Sequence, residues 1–176
     1  MLNCLPVTKA SVPLVATRPA APVLALSAAA VPSFEVLRVP GDGSCLFRAL
    51  AQGRSVLEQG RPLERDALLH DGYKLRQDVC EAMLARREDI APFIVGRIDV
   101  YVDNMMREGS WGGEPELAVA ADLLKRPVLV YRLVQSGLFG SDLEKVSEYG
   151  VGKGTDAPPI CLLYSGNHYD LLLVSK

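Results

Sequence analysis

The chain has 176 residues, enough for one compact domain with a real core but hardly for two. About half are apolar (49%), 23% are charged and the net charge is −2, which argues against a polyanionic partner such as nucleic acid. No apolar run approaches the roughly 20 residues needed to span a bilayer, so the protein reads as soluble, and a monomer is expected. Four separated cysteines without a C-x-x-C pair argue against a disulfide framework or zinc site.

From Met1 to Phe34 there is no Asp, Glu or Gly, while Lys9, Arg18, many Ala and Val and five of the twelve prolines are present. Two readings fit residues 1–33. An acid-free, Ala- and Ser-rich, weakly basic N-terminus has the composition of a transit peptide to a plastid or mitochondrion. It equally suits a disordered Pro/Ala tail on a cytoplasmic protein, because the prolines prevent a long helix. Either way the folded domain is expected over residues 34–176.

Phe34 to Val39 alternates apolar and polar residues, as a half-buried strand does, until Pro40-Gly41-Asp42-Gly43 breaks it. From Cys45, Leu46, Phe47, Ala49 and Leu50 fit a helix burying one face, which Gly53 is expected to stop. Residues 60–72 read as charged and irregular at their start, with room for a short helix over Glu64–His70. A better helix over Tyr73–Arg87 carries Leu75, Val79, Cys80, Met83 and Leu84. Residues 90–106 continue in the same manner, with Pro92 in a first turn and Phe93, Ile94, Ile98, Val100, Tyr101, Val102 and Met105 as burial candidates.

A loop holding the only tryptophan, Trp111, leads into a helix that begins near Pro115 and ends at Pro127. Val128–Val134 reads as a buried strand, and residues 135–159 as mostly irregular with a short edge strand over Val146–Tyr149. The chain closes on a hairpin, Ile160–Tyr164 and His168–Val174 around Ser165-Gly166-Asn167. Helices in the middle and strands mostly at the end predict an α+β fold with a small, mainly antiparallel sheet.

The chemistry centres on the glycine turn. It places Cys45 at a helix start, where unpaired N–H groups and the helix dipole favour a thiolate nucleophile. Cys80 on an apolar helix face and Cys161 inside a strand read as small hydrophobes. Only two histidines can serve as base. His70 lies in a polar segment and reads as a surface residue. His168 follows a turn at a strand start, and period-two alternation puts Asp170 on its face of the strand, able to hold the imidazole. A nucleophile, a base and an orienting carboxylate compose a covalent hydrolase.

The stretch Asp42-Gly43-Ser44-Cys45-Leu46-Phe47-Arg48-Ala49 resembles the D-G-x-C-L-F-R-A motif of the OTU (ovarian tumour) cysteine proteases. Asn167-His168-Tyr169-Asp170-Leu171-Leu172 is similar to their histidine motif, and Trp111-Gly112-Gly113-Glu114-Pro115-Glu116-Leu117 to their W-G-G-x-x-E-L segment. The motifs occur in the family's order, and their details are most similar to plant and algal members. The resemblance implies a papain-like OTU fold, its sheet packed between helices, and thiol-dependent hydrolysis at the C-terminus of ubiquitin. It implies Cys45 as nucleophile, His168 as general base and then acid, Asp170 as its orienter, and Asp42 as a contributor that shapes the turn. Backbone N–H groups around Gly43 to Cys45 would then face an oxyanion, and Gly43, Ser44 and Asn167 would contact the substrate.

The implied partners are ubiquitin, polyubiquitin chains and ubiquitinated proteins, and the implied thiol chemistry needs neither metal nor organic cofactor. The extended Gly-Gly end of ubiquitin needs a narrow channel, of which Trp111, Gly112 and Gly113 form a wall, unless Trp111 only packs under its loop. Glu116 reads as a helix-start residue compatible with the dipole rather than a catalytic acid. The alternatives are a thiol hydrolase acting on a ubiquitin-like modifier and a ubiquitin-binding module without turnover.

Overall fold

The computed structural model describes residues 34–136, 140–152, 154 and 156–174. The two readings of residues 1–33 lie outside the described residues. Strand β1 (Phe34–Leu37) precedes helices α1 (Cys45–Gln59), α2 (Arg65–Ala85), α3 (Arg87–Ile90), α4 (Ile98–Met105) and α5 (Glu114–Leu124). Strands β2 (Val128–Ser136), β3 (Gly140–Tyr149), β4 (Ile160–Tyr164) and β5 (Tyr169–Val174) follow. The five strands form one sheet in the order β1-β5-β4-β2-β3, antiparallel except for the β2–β4 pair. The fold is α+β, as the order of elements predicts.

Helix α1 sits at the centre, packed on β4 and β5 and against α2, which also meets α4 and α5. Leu46, Phe47, Ala49 and Leu50 are at most 1% exposed. Burying each of the three large ones stabilises the fold by about 1.5–3 kcal/mol. This packing pins Cys45, the first residue of α1, to the buried centre of the domain.

Gly53, expected to stop a helix, does not, and Gly72 lies inside one as well. Helix α1 runs through Gly53 and ends at Gly60, whose positive φ of 69° caps it. A Cβ on Gly53 would lie 2.6 Å from Ile160 Cγ2 and 3.0 Å from Leu171 Cδ1, so the glycine lets α1 press onto the sheet. Helix α2 likewise runs through Gly72, where a Cβ would lie 2.6 Å from Arg48 Cγ and 3.3 Å from Arg48 Cα. The short helix expected over Glu64–His70 and the helix expected from Tyr73 are one continuous helix, because Gly72 admits α1 at the crossing instead of breaking the chain. A helix-interior glycine costs about 1 kcal/mol in propensity, and close packing offsets it.

Residues 90–106 differ from expectation as well. A 3-10 turn over Ala91–Phe93, with Pro92 in it, separates α3 from α4. Val102 and Met105 are buried, whereas Phe93 is 77% and Val100 52% exposed. The expected edge strand over Val146–Tyr149 is the end of the longer β3, which pairs with β2 from Val128↔Tyr149 to Ser136↔Gly140. Strand β2 is buried only near its start, at Val128 and Val130.

Candidate active site

Asp170 is the hub. It is 2% exposed and is the second residue of β5, opposite Leu163. Its Oδ1 is 3.0 Å from His168 Nε2 and accepts the Val39 N–H at 3.0 Å, while Oδ2 accepts from Arg38 Nη1 at 3.0 Å. A carboxylate only accepts, so the ring proton sits on Nε2 and the lone pair is left on Nδ1. That nitrogen faces the glycine turn: a Cβ on Gly41 would lie 3.5 Å from it. Because Val39 immediately precedes Pro40, the same carboxylate holds both the imidazole and the stem of the turn that ends in Cys45.

Cys45 is 8% exposed and lines a cleft of about 480 Å³ together with Trp111, Gly113, Glu114, Asn167 and Tyr169. Its neighbours in the motif do separate jobs. Asp42 Oδ1 accepts the Ser44 N–H at 3.2 Å, an Asx turn, and takes a hydrogen bond from Arg48 Nη1. The Arg48 guanidinium holds the Asp42 carboxyl below the usual carboxylate range. Asp42 therefore shapes the turn and meets neither His168 nor Cys45 by hydrogen bond. The Ser44 N–H is consumed by Asp42, which removes it from the donors expected for an oxyanion. Among the described residues no acceptor meets the N–H of Gly43 or Cys45, and these two remain free for one.

On the other wall, Trp111 is 67% exposed and lines the cleft, so it does not pack under its loop. The adjacent glycines differ. A Cβ on Gly112 would lie 2.6 Å from Leu46 Cδ2 and 3.2 Å from the Phe47 ring, whereas one on Gly113 would meet nothing within 4 Å. Gly112 seats the loop on α1; Gly113 keeps the cleft open.

Three further functional residues stand around the site; Arg38 and Arg76 are absent from the sequence reading, which gives Glu116 only as a helix-start residue. Arg38 pairs with Asp170 from an exposed position, its side chain 79% accessible, and no sequence pattern marks it. Glu116 is fully buried: its Oε2 accepts the Gly113 N–H at 2.7 Å and its Oε1 the Tyr101 hydroxyl at 2.8 Å. Burial and this carboxylate hold the Tyr101 phenol far above its ordinary range. Glu116 at the third position of α5 could have been read as half of a capping box, here closed on a glycine. Replacing it by alanine is expected to strip two half-buried donors of their acceptor and lower stability by about 1–3 kcal/mol, seen as a lower urea midpoint. An unchanged midpoint would remove Glu116 from the frame of the wall. The third is Arg76, fully buried in α2. It shares the helical stripe of Val79, Cys80 and Met83, and a cation in an apolar stripe is the signal that could have found it.

His70 is exposed on α2 and pairs only with Asp71, at 3.1 Å. Cys80 is fully buried and its thiol is pushed up to about 11 by burial, and Cys161 is shifted upward for the same reason. Among the described residues no group of three or more His, Cys, Asp or Glu gathers as a metal site would. Nor is any helix among them long and apolar enough to cross a membrane.

Comparison with known proteins matches these features. Residues 40–171 match the family described as OTU-like cysteine protease. OVARIAN TUMOR DOMAIN-containing deubiquitinating enzyme 4 of Arabidopsis thaliana is 36% identical over 148 residues, 81% of this chain and 44% of that protein. Enzyme 3 of the same plant is 35% identical over 162 residues, 81% of this chain and 69% of that protein. The chain thus spans less than half of the first relative. Among solved structures, the OTUD1 OTU domain superposes with a TM-score of 0.62 at 22% identity, covering 80% of this chain and 85% of that one. The Hazara virus OTU bound to ubiquitin gives 0.60 at 26% identity, covering 81% and 82%. The matched stretch runs from the glycine turn to the terminal strand, and the chain belongs to the OTU-like cysteine protease family.

Proposed function

We propose that this chain is a cysteine-dependent deubiquitinase, hydrolysing isopeptide and peptide bonds at the C-terminus of ubiquitin. One observation carries the reading. The imidazole of His168, held at Nε2 by buried Asp170, presents Nδ1 to the turn whose cysteine opens into the cleft. The names of the Arabidopsis relatives and the ubiquitin held by the Hazara virus domain support ubiquitin as substrate.

In this reading the Cys45 thiol passes its proton to His168 Nδ1 as sulfur attacks the carbonyl carbon of ubiquitin's terminal glycine. The tetrahedral oxyanion is met by the N–H groups of Gly43 and Cys45, and Asp170 stabilises the imidazolium. His168 gives the proton to the leaving amine as the C–N bond breaks, leaving a thioester on Cys45. Water deprotonated by His168 then attacks the thioester, and the thiol is restored as ubiquitin leaves. Gly113 leaves room for an extended, side-chain-free substrate terminus beside Trp111.

The test is a panel of defined di-ubiquitins and of ubiquitin-like proteins carrying C-terminal fluorogenic amides, each incubated with the purified protein. Cleavage of ubiquitin conjugates is expected. Cleavage confined to a ubiquitin-like conjugate, or none at all, would sink the ubiquitin assignment.

A further inference from the structure

Arg76 makes more polar contacts than any other buried side chain described, and the chemistry above uses none of them. Its Nη2 donates to the Gly43 carbonyl at 3.0 Å and to Ser44 Oγ at 3.0 Å. Its Nη1 donates to the Met105 carbonyl at 2.9 Å and to the Ser110 carbonyl at 2.9 Å. The guanidinium stacks over the Phe47 ring, 4.3 Å from its centroid. Gly43, Ser44 and Phe47 all belong to the cysteine motif. Among the described residues no carboxylate is hydrogen-bonded to the group, and burial lowers its proton affinity. A buried cation is a poor way to gain stability compared with an apolar side chain of similar volume.

Its position suggests another use. The peptide between Gly43 and Ser44 is held at both ends, its carbonyl by Arg76 and its N–H by Asp42. Gly43 has φ +89°, a conformation open mainly to glycine, and glycine leaves the following peptide easy to rotate. Rotation by half a turn would face the carbonyl oxygen to the Asp42 carboxylate and the N–H to the guanidinium, and both encounters are repulsive. The lock therefore acts on the peptide that lies between the two free N–H groups of Gly43 and Cys45.

The same cation joins the two sides of the cleft. Among the described residues no backbone hydrogen bond links 41–45 to 105–113, yet a Cβ on Gly43 would lie 2.2 Å from the Gly109 carbonyl oxygen. Chain segments packed this closely are tied through Arg76.

We propose that Arg76 is the positioning residue of the oxyanion site: it fixes the Gly43–Ser44 peptide and anchors the Trp111 loop to the cysteine turn. The proposal rests on the acyl-transfer reading of Cys45, and its test separates the two. Alkylation of Cys45 by iodoacetamide is a displacement at saturated carbon and forms no oxyanion. Acylation by p-nitrophenyl acetate and hydrolysis of a ubiquitin C-terminal fluorogenic amide both form one. All three rates are measured for the intact protein and for Arg76→Lys, Arg76→Met and Ser44→Ala, with alkylation followed on the Cys45 peptide by mass spectrometry and folding by circular dichroism.

Lysine keeps the charge but offers a single ammonium instead of the planar fork that reaches both segments. For Arg76→Lys and Arg76→Met we expect kcat and acylation to fall about 10²-fold, with KM and alkylation changed less than about threefold. Parallel loss of alkylation and acylation, or no loss of either, overturns the proposal. Where the Arg76 variants do not fold, Ser44→Ala decides, since it removes one guanidinium contact from the turn. An acylation-to-alkylation ratio lowered about fivefold supports the lock, and an unchanged ratio refutes it. A native protein that is acylated by the ester but inert on the ubiquitin amide would discard the ubiquitin reading, and the ester ratio would still decide the role of Arg76.

Discussion

Replacing Cys45 by alanine abolishes cleavage of ubiquitin conjugates, with a loss on the order of 10⁵–10⁶-fold in kcat, because no other group in the cleft can form the acyl intermediate. The fold survives: the substitution removes one sulfur from a site already 8% exposed, and stability is expected to change by no more than about 1 kcal/mol. Conjugate cleavage with circular dichroism in parallel checks both halves. The control is Cys80→Ala. That thiol is fully buried and pushed up to about 11 by burial, so it is not a nucleophile near neutrality. Turnover is therefore expected to stay unchanged while some packing energy is lost. Robust cleavage by Cys45→Ala would remove the nucleophile assignment altogether.

The second large effect is expected at Asp170. Asp170→Asn supplies one acceptor oxygen where the carboxylate serves Val39 N–H, His168 Nε2 and Arg38, and it places an amide donor among donors. The imidazole then loses its fixed tautomer and the partner of its imidazolium, and kcat is expected to fall about 10²–10⁴-fold. Asp170→Ala also leaves the Val39 N–H unpaired, which adds about 1–3 kcal/mol of destabilisation. Asp42→Asn makes the informative comparison. An asparagine retains the acceptor for the Ser44 N–H and loses only the charge on Arg48, so a fall of less than about tenfold is expected. Steady-state rates of the two asparagine variants on one substrate measure this difference. Equal effects would contradict the geometry, in which only Asp170 reaches the histidine.

The relation between Asp42 and Asp170 also shows where sequence ends as a guide. Both aspartates stand beside motif residues, and the linear pattern treats them alike. Period-two alternation placed His168 and Asp170 together because strand geometry is local and regular. Asp42 lies in a turn, where a side chain can bond its own backbone or reach across a site, and only the folded chain selects one. Here it bonds Ser44 and Arg48.

The glycines carry the same lesson. Gly53 and Gly72 look like helix breakers to a reading by propensity. In the fold they mark where α1 meets the sheet and where α2 crosses α1, contacts between residues far apart in sequence. Phe93 and Val100 fail in the opposite direction: their spacing suits a buried face, yet the chain breaks into a 3-10 turn and leaves them exposed.

By itself the sequence determined the α+β order of elements, the cysteine at a helix start, and the pairing of the terminal histidine with its aspartate. These depend on short-range periodicity and turn chemistry, which act within a few residues. The tertiary structure decided what Asp42 bonds, which N–H groups stay free, and that a buried arginine from α2 holds the glycine turn to the tryptophan loop. Those depend on packing between distant segments, where a guanidinium or a missing Cβ takes its meaning from what stands across from it.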